Sequence, residues 1–139
     1  MILGVGIDLC EAQRMEKSLQ RQAFCDHVFA AEEQALLAGL PARRRAETAA
    51  ANFAAKEAFL KAVGTGLGGF ALNELALLRA QSGAPYFKLS GRAEAWAEQQ
   101  GVAVHVSLTH EKGLKGSDRC LPKHRVPAIW NCCASCACC

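Results

Sequence analysis

Residues 43–63 constrain the fold more than any other part of the sequence. The stretch is rich in Ala, Glu, Lys and Arg and contains neither Gly nor Pro, a composition with high helix propensity. Gly64, which follows directly, is a typical helix terminator. Phe53, Glu57 and Lys61 recur every four residues, which puts them on one side of the predicted helix. The sequence therefore predicts one long helix that carries an acid and a base on the same face.

The N-terminal segment has a period of two. Its bulky apolar side chains point one way, and the opposite side carries mainly Gly4, Gly6 and Asp8. This alternation predicts a strand over residues 2–10. Because glycine weakens a strand, two glycines beside an acid indicate that something approaches the backbone closely at this point.

The rest of the chain mixes helices and strands without a regular βαβ repeat. Helices are predicted at 11–22, 30–38 and 90–100, where Ser90 is a candidate cap, and strands at 74–79, 86–89 and 102–110. This order predicts an α+β fold, with a small antiparallel sheet and helices packed on one face of it.

Length and charge limit the possible functions. A chain of 139 residues with 51% hydrophobic content predicts one globular domain. The net charge of +3 comes from residues 111–139, so we expect no general nucleic-acid surface. The N-terminus lacks a positive region and its apolar run is short, so we expect no signal peptide, no membrane span and a cytoplasmic protein.

Asp8 and Glu57 are the strongest candidates for chemistry. If they converge, they form a hard-oxygen site suited to Mg²⁺ together with a substrate phosphate. The alternative is that Asp8 merely ends a strand and Glu57 pairs with Lys61 on the helix surface. Lys56 and Lys61 are either phosphate clamps or members of a solvated helix face. His105 is either catalytic or a half-buried structural residue.

Four motifs together are specific. They occur in the order Gly-Ile-Asp-Leu at 6–9, Phe-Ala-Ala-Lys-Glu-Ala-Phe-Leu-Lys-Ala-Val-Gly-Thr-Gly-Leu at 53–67, Gly-Ala-Pro-Tyr at 83–86, and Val-His-Val-Ser-Leu-Thr-His at 104–110. Residues 1–112 closely resemble the holo-acyl-carrier-protein synthases, a kind of 4′-phosphopantetheinyl transferase, and the resemblance implies a transferase domain of that extent with the fold of these enzymes.

The resemblance implies a reaction. Enzymes of this kind move the 4′-phosphopantetheine group from coenzyme A to a serine of apo-acyl carrier protein, release adenosine 3′,5′-bisphosphate and support fatty acid biosynthesis. By resemblance, Asp8 and Glu57 bind Mg²⁺, and Lys61 stabilises charge on the CoA pyrophosphate. The proton acceptor for the serine hydroxyl stays open between a water molecule at the metal and one of the acidic ligands.

The resemblance also implies binding residues. Those for coenzyme A are Arg43 and Arg45, with Arg44 beside them, together with Lys61, Gly64, Gly66 and His105. Arg14, Lys17 and Arg21 are expected to contact the acidic carrier protein, the alternative being a solvated basic face. The resemblance further implies a homotrimer with active sites shared between subunits.

Two departures from the family pattern stand out. Asn52 occupies a position where the family usually has Arg, which predicts the loss of one phosphate or carrier contact. Residues 113–139 replace the expected final strand with a Cys-rich segment, which we expect to be disordered; the alternative is a thiolate metal site. Two other functions therefore stay open: a catalytically impaired remnant that binds CoA or the carrier, and a Cys-rich metal-binding protein.

Overall fold

The structure, a computed structural model, describes residues 1–109. This part of the chain contains five α-helices and two β-strands, with short 3₁₀ turns at Gly66–Gly68 and Leu72–Glu74. In chain order the elements are α1 (Ala12–Ser18), α2 (Gln22–Val28), α3 (Ala31–Ala38), α4 (Ala42–Val63), β1 (Leu75–Arg79), β2 (Pro85–Leu89) and α5 (Gly91–Gln100). The predictions for the Cys-rich segment 113–139 lie outside the described residues.

The long helix predicted at 43–63 is confirmed as α4. Pro41 precedes it, and Gly64 ends it in the left-handed conformation with φ of 76°, which costs glycine little. Many of its buried positions are alanines, including Ala49, Ala54 and Ala55, which are all 0% exposed. Small side chains let neighbouring elements approach the helix axis closely, and α4 is therefore the scaffold on which the other elements pack.

The predicted strands at 74–79 and 86–89 are confirmed as β1 and β2. They pair antiparallel, with Leu75 opposite Leu89 and Leu77 opposite Phe87. Leu75 and Leu77 are fully buried, so one face of the sheet lies against the helices. This arrangement confirms the predicted α+β class.

The predicted helix 11–22 is wrong as a single element. The chain turns after Ser18, and Arg21 has an extended backbone before α2 begins. The turn lets Met15 of α1 and Val28 of α2 reach the same hydrophobic core, and this shared burial outweighs local helix propensity.

Residues 2–10 and 102–109 are not in a strand ladder with other described residues, although both were predicted as strands. The segment 102–109 keeps the predicted period of two, since its even-numbered residues are half-buried and its odd-numbered residues are exposed. Alternation reports which face packs on the core, whereas a strand additionally needs a hydrogen-bonded neighbour.

Ser90 precedes α5, as predicted, but its hydroxyl does not cap the helix. The Glu74 carboxylate takes that place and accepts a hydrogen bond from the Arg92 backbone N–H at 3.2 Å. Within residues 1–109, none of the helices is both long and apolar enough to cross a membrane.

Candidate active site

The N-terminal segment lies directly on the backbone of α4. A Cβ atom at Gly6 would lie 1.8 Å from the Ala58 carbonyl oxygen, and one at Gly4 would lie 1.9 Å from that of Ala62. The predicted close approach at these glycines is therefore confirmed, and what approaches is the helix itself. Asp8 follows Gly6 by two residues and so emerges beside the part of α4 that carries Glu57 and Lys61.

Lys61 links the helix to the N-terminal segment. Its ammonium donates a short hydrogen bond to Asp8 Oδ1 and a second one to the Ile7 carbonyl oxygen at 3.3 Å. The bond to Asp8 raises the pKa of Lys61. The Asp8 side chain is 18% exposed and that of Lys61 is 54% exposed. The pair therefore lies at the protein surface, where a ligand can reach it.

Glu57 lies next to this pair with one carboxylate oxygen unsatisfied. Its Oε1 atom is buried and has no hydrogen-bond partner among residues 1–109. Burial raises the pKa of Glu57, the negative charge of Asp8 raises it further, and Lys61 opposes the shift. An ionised carboxylate in this position is costly unless a cation neutralises it.

The residues present fit a divalent cation. Asp8 and Glu57 offer two hard carboxylates close enough to shift the pKa of one of them, and the orphaned Glu57 oxygen is available as a ligand. The described residues contain no group of three or more His, Cys, Asp or Glu that could hold a metal. This donor set suits Mg²⁺, which commonly takes one or two carboxylates and completes its shell with water and substrate phosphate.

Cys10 lies close enough to both carboxylates to be influenced by their charges, a neighbour that the sequence interpretation missed. Burial raises the pKa of Cys10; the charges of Asp8 and Glu57 add to the rise, and Arg14 opposes it. Cys10 follows Asp8 at the spacing that places both on one side of an extended segment. The period of two in residues 2–10 was the signal that could have revealed Cys10.

The three predicted arginines at the start of α4 differ in their surroundings. Arg43 and Arg44 are exposed, and Arg43 forms an i,i+4 ion pair with Glu47 at 3.1 Å. Arg45 donates to the carbonyl oxygens of Leu37 at 3.0 Å and Leu40 at 3.1 Å. Arg45 thus ties the end of α3 to α4, and any phosphate contact would have to share its guanidinium with these carbonyls.

Gly64 and Gly66 both have positive φ, at 76° and 61°, in the loop after α4. A Cβ atom at either position would have none of the described atoms within 4 Å, so backbone conformation, and not space, favours glycine there. His105 is exposed on the segment 102–109. The CoA-binding roles of these three residues stay predictions.

The three predicted carrier contacts are all exposed but do not share one helix. Arg14 and Lys17 belong to α1, whereas Arg21 precedes α2 and its guanidinium lies over the Phe24 ring at 5.7 Å. A carrier-binding surface built from them would therefore span the α1–α2 turn.

Lys56 and Asn52 are buried, at 0% and 1% exposure. The interpretation of Lys56 as a phosphate clamp is wrong, and so is the solvated alternative, because its ammonium is enclosed by protein acceptors. Asn52 donates a hydrogen bond to Glu33 at 3.0 Å. The side chain at position 52 points into the core, so the prediction that Asn52 costs a phosphate or carrier contact is not supported by its placement.

Comparison with known proteins identifies the family. The model of the 4′-phosphopantetheinyl transferase superfamily matches residues 4–112. The chain belongs to this superfamily. A holo-[acyl-carrier-protein] synthase of Trichlorobacter lovleyi is 44% identical over 117 residues, covering 81% of this chain and 91% of the relative.

Solved structures of the superfamily have the same fold. The acyl carrier protein synthase of Plasmodium yoelii with ADP bound matches with a TM-score of 0.64 and 31% identity, covering 74% of this chain and 80% of that one. The holo-(acyl-carrier-protein) synthase of Bacillus anthracis in complex with CoA (3′,5′-ADP) matches with a TM-score of 0.60 and 36% identity, covering 66% and 78%. The predicted family and enzyme class are confirmed by these matches.

Proposed function

We propose that this chain transfers the 4′-phosphopantetheine group of coenzyme A to a serine of apo-acyl carrier protein, giving holo-acyl carrier protein and adenosine 3′,5′-bisphosphate. The observation that carries the proposal is the convergence of Asp8, Glu57 and Lys61 in a chain of the transferase superfamily. Relatives named for this activity, and a related structure with CoA bound, support the choice of substrates.

The proposed cofactor is Mg²⁺, held by Asp8 and Glu57. When bound, it would act as a Lewis acid that neutralises charge on the diphosphate oxygens. Asp8 and Glu57 contribute the negative charge that holds the ion at the edge of α4. The orphaned Oε1 of Glu57 supports this role, because an ion would satisfy a buried atom that has no partner among residues 1–109.

Lys61 supplies the second positive charge of the site. Its ammonium is protonated at neutral pH, since the bond to Asp8 raises a pKa whose ordinary value is already 10.5, and its side chain is half exposed. We propose that it turns from Asp8 toward the diphosphate when the substrate binds and stabilises the charge that develops on the leaving phosphate. The flexible four-carbon stem of lysine suits such a movement.

The remaining binding roles follow the sequence predictions. We propose that Arg43, Arg45, Gly64, Gly66 and His105 bind the nucleotide end and diphosphate of CoA. Exposed Arg14, Lys17 and Arg21 would orient an acidic carrier protein by charge. The product of this reaction would serve fatty acid biosynthesis, and we place the enzyme in the cytoplasm.

We propose a homotrimer, and the exposed N-terminal segment supports self-association. Leu3, Val5, Ile7 and Leu9 are between 53% and 59% exposed on one side of that segment. Apolar side chains aligned in this way commonly mark an interface. Sedimentation velocity should give a trimer for the full chain and a smaller species for Val5→Lys; a monomeric full chain would contradict the trimer.

Mass spectrometry of apo-acyl carrier protein incubated with CoA and Mg²⁺ tests the activity. We expect the carrier to gain the mass of one phosphopantetheine group with the wild-type chain and to remain unmodified with Asp8→Ala. Binding of CoA by the wild-type chain without any modified carrier would favour the catalytically impaired remnant instead.

A further inference from the structure

A fully buried ion pair lies on the core side of α4, one residue away from Glu57. Lys56 Nζ lies 2.5 Å from Glu33 Oε2, and both side chains are 0% exposed. A buried charge is expensive unless it is paired and hydrogen-bonded. The transferase chemistry proposed above makes no use of this pair, so its presence calls for a separate role.

The Lys56 ammonium is saturated by acceptors from three different elements. Besides Glu33 in α3, it donates to the Val28 carbonyl oxygen at the end of α2, at 2.5 Å, and to the Leu72 carbonyl oxygen, at 3.0 Å. An ammonium has three N–H donors, and each has a partner here. The ammonium also lies 5.2 Å from the centre of the Phe29 ring.

The Glu33 carboxylate accepts hydrogen bonds from side chains in two successive turns of α4. Its Oε2 accepts from Lys56, and its Oε1 accepts from Asn52 Nδ2 at 3.0 Å. Asn52 is also bonded to the Leu77 carbonyl oxygen of β1, at 3.3 Å. Residues four apart lie on one stripe of a helix, so these contacts fix how far α4 is rotated about its axis.

The rotation of α4 decides where Glu57 points. Consecutive residues of a helix are separated by roughly 100° around the axis, so the stripe of Asn52 and Lys56 faces the core when Glu57 faces the N-terminal segment. Alanines fill most buried positions of α4 and constrain rotation weakly, because their side chains are short and alike; Phe59 and Leu60 add larger apolar contacts only near its C-terminal end. The directional bonds of Lys56 and Asn52 add a constraint on rotation in the middle of the helix, beside Glu57.

We propose that Lys56 is a positioning residue that, through Glu33, Val28 and Leu72, holds Glu57 in the direction required for a divalent ion shared with Asp8. The inference rests on the proposed metal role of Glu57. Partners outside the ligand shell that orient a metal ligand typically change metal affinity about 10- to 100-fold when removed.

The decisive variant is the double substitution Lys56→Met with Glu33→Gln. Lys56→Met alone would leave an unpaired buried carboxylate, which is strongly destabilising by itself. The Glu33→Gln substitution removes that charge and keeps one amide oxygen, which can accept from Asn52 or from the Ala30 backbone N–H but not from both. Asn52→Ala is a milder second variant, and Leu60→Ala, a buried apolar truncation in the same helix, is the control for loss of stability.

The measurement is Mn²⁺ binding to each full-length chain without CoA, followed by electron paramagnetic resonance, with circular dichroism to confirm folding. We expect dissociation constants for Mn²⁺ at least about 10-fold higher in the double variant, a smaller rise in Asn52→Ala, and no change in Leu60→Ala. In the carrier assay, the Mg²⁺ concentration for half-maximal rate should rise most in the double variant, less in Asn52→Ala and not at all in Leu60→Ala. The KM for the carrier should stay unchanged.

Two results would overturn the role of Lys56. In the first, the double variant and Asn52→Ala are both folded and bind Mn²⁺ as tightly as the wild type. In the second, Leu60→Ala loses as much Mn²⁺ affinity as the double variant. Failure of the underlying site gives a different result. A wild-type chain that binds Mn²⁺ no better than Asp8→Asn would overturn the proposed metal site itself, and the inference with it.

Discussion

The Lys61 ammonium lies on the Asp8 carboxylate, where it joins the middle of the sequence to its N-terminus. This ion pair has two consequences. It neutralises Asp8 when no metal is bound, and it occupies one of the oxygens that a metal would use. Lys61 is therefore expected to have two opposing effects. It stabilises charge on the diphosphate during the reaction, and it competes with the metal for Asp8.

Replacing Lys61 by Met separates these two effects. We expect Lys61→Met to lose most of its turnover, because a cation near the diphosphate is gone, and yet to bind Mn²⁺ more tightly in the absence of CoA. A partly exposed ion pair contributes up to about 1 kcal/mol, so the gain in affinity should reach about fivefold. Lys61→Arg, which keeps the charge, is the control, and weaker Mn²⁺ binding by Lys61→Met would contradict the competition.

Glu57→Gln should abolish function without harming the fold. The amide keeps the size of the side chain but carries no negative charge to hold a divalent ion. Without the ion, the reaction loses several kcal/mol of charge stabilisation, so we expect a turnover at least about 100-fold lower. Steady-state rates at saturating Mg²⁺ measure this loss. Full activity of Glu57→Gln would show that Glu57 is not a ligand.

The stability of the metal-free chain should depend on pH through Glu57. Its pKa in the folded chain is raised above the ordinary value of 4.5, so the unfolded chain releases this proton at lower pH than the folded chain does. Stability contributed by protonated Glu57 is therefore lost as pH rises from about 4.5 toward the raised pKa. Urea denaturation across this range should show the loss in the wild type.

Glu57→Gln is the matched comparison for the pH experiment. The variant has no proton to release at this position, so it should lose less stability over the same pH range and should be at least as stable as the metal-free wild type at neutral pH. A pH dependence in Glu57→Gln as steep as or steeper than that of the wild type would contradict a raised pKa at Glu57.

Gly6→Ala should displace Asp8 by pushing the N-terminal segment off α4. The new Cβ would lie 1.8 Å from the Ala58 carbonyl oxygen, a contact that only a backbone shift relieves. Overpacking of this kind costs about 1–3 kcal/mol, and we expect turnover to fall with it. Gly39→Ala is the control, since among the described atoms its Cβ would meet only Leu36, at 3.6 Å; thermal unfolding and carrier modification compare the two variants.

Local propensity predicted the helix that carries Glu57 and Lys61, whereas the segment that carries Asp8, predicted as a strand, is in no strand ladder with other described residues. The resemblance joined Asp8 to Glu57. Helix α4 has strong local propensity and a glycine stop, so its ends were predicted within a residue. Gly4 and Gly6 indicated a close contact because they interrupt an otherwise bulky apolar segment. These signals are local in the sequence, which is why they could be interpreted without coordinates.

The buried Lys56 could not be predicted in this way. Its partners, Glu33, Val28 and Leu72, are separated from it by 16 to 28 residues, and charged residues beside alanines on a helix usually face solvent. The break between α1 and α2 was missed for a related reason. Met15 and Val28 are buried in one core, and such a tertiary contact cannot be predicted from local helix propensity.

Mn²⁺ binding, measured in a double-mutant cycle at Asp8 and Glu57, shows whether the two acids share one ion. Manganese is suited to carboxylate ligands and poorly suited to thiolates, so the Cys-rich segment should not interfere. We expect one high-affinity ion per wild-type chain and a large loss of affinity in Asp8→Asn and in Glu57→Gln. The loss in the double variant should be smaller than the sum of the two, because both acids hold the same ion. Wild-type affinity in either single variant, or fully additive losses, would contradict a shared metal site.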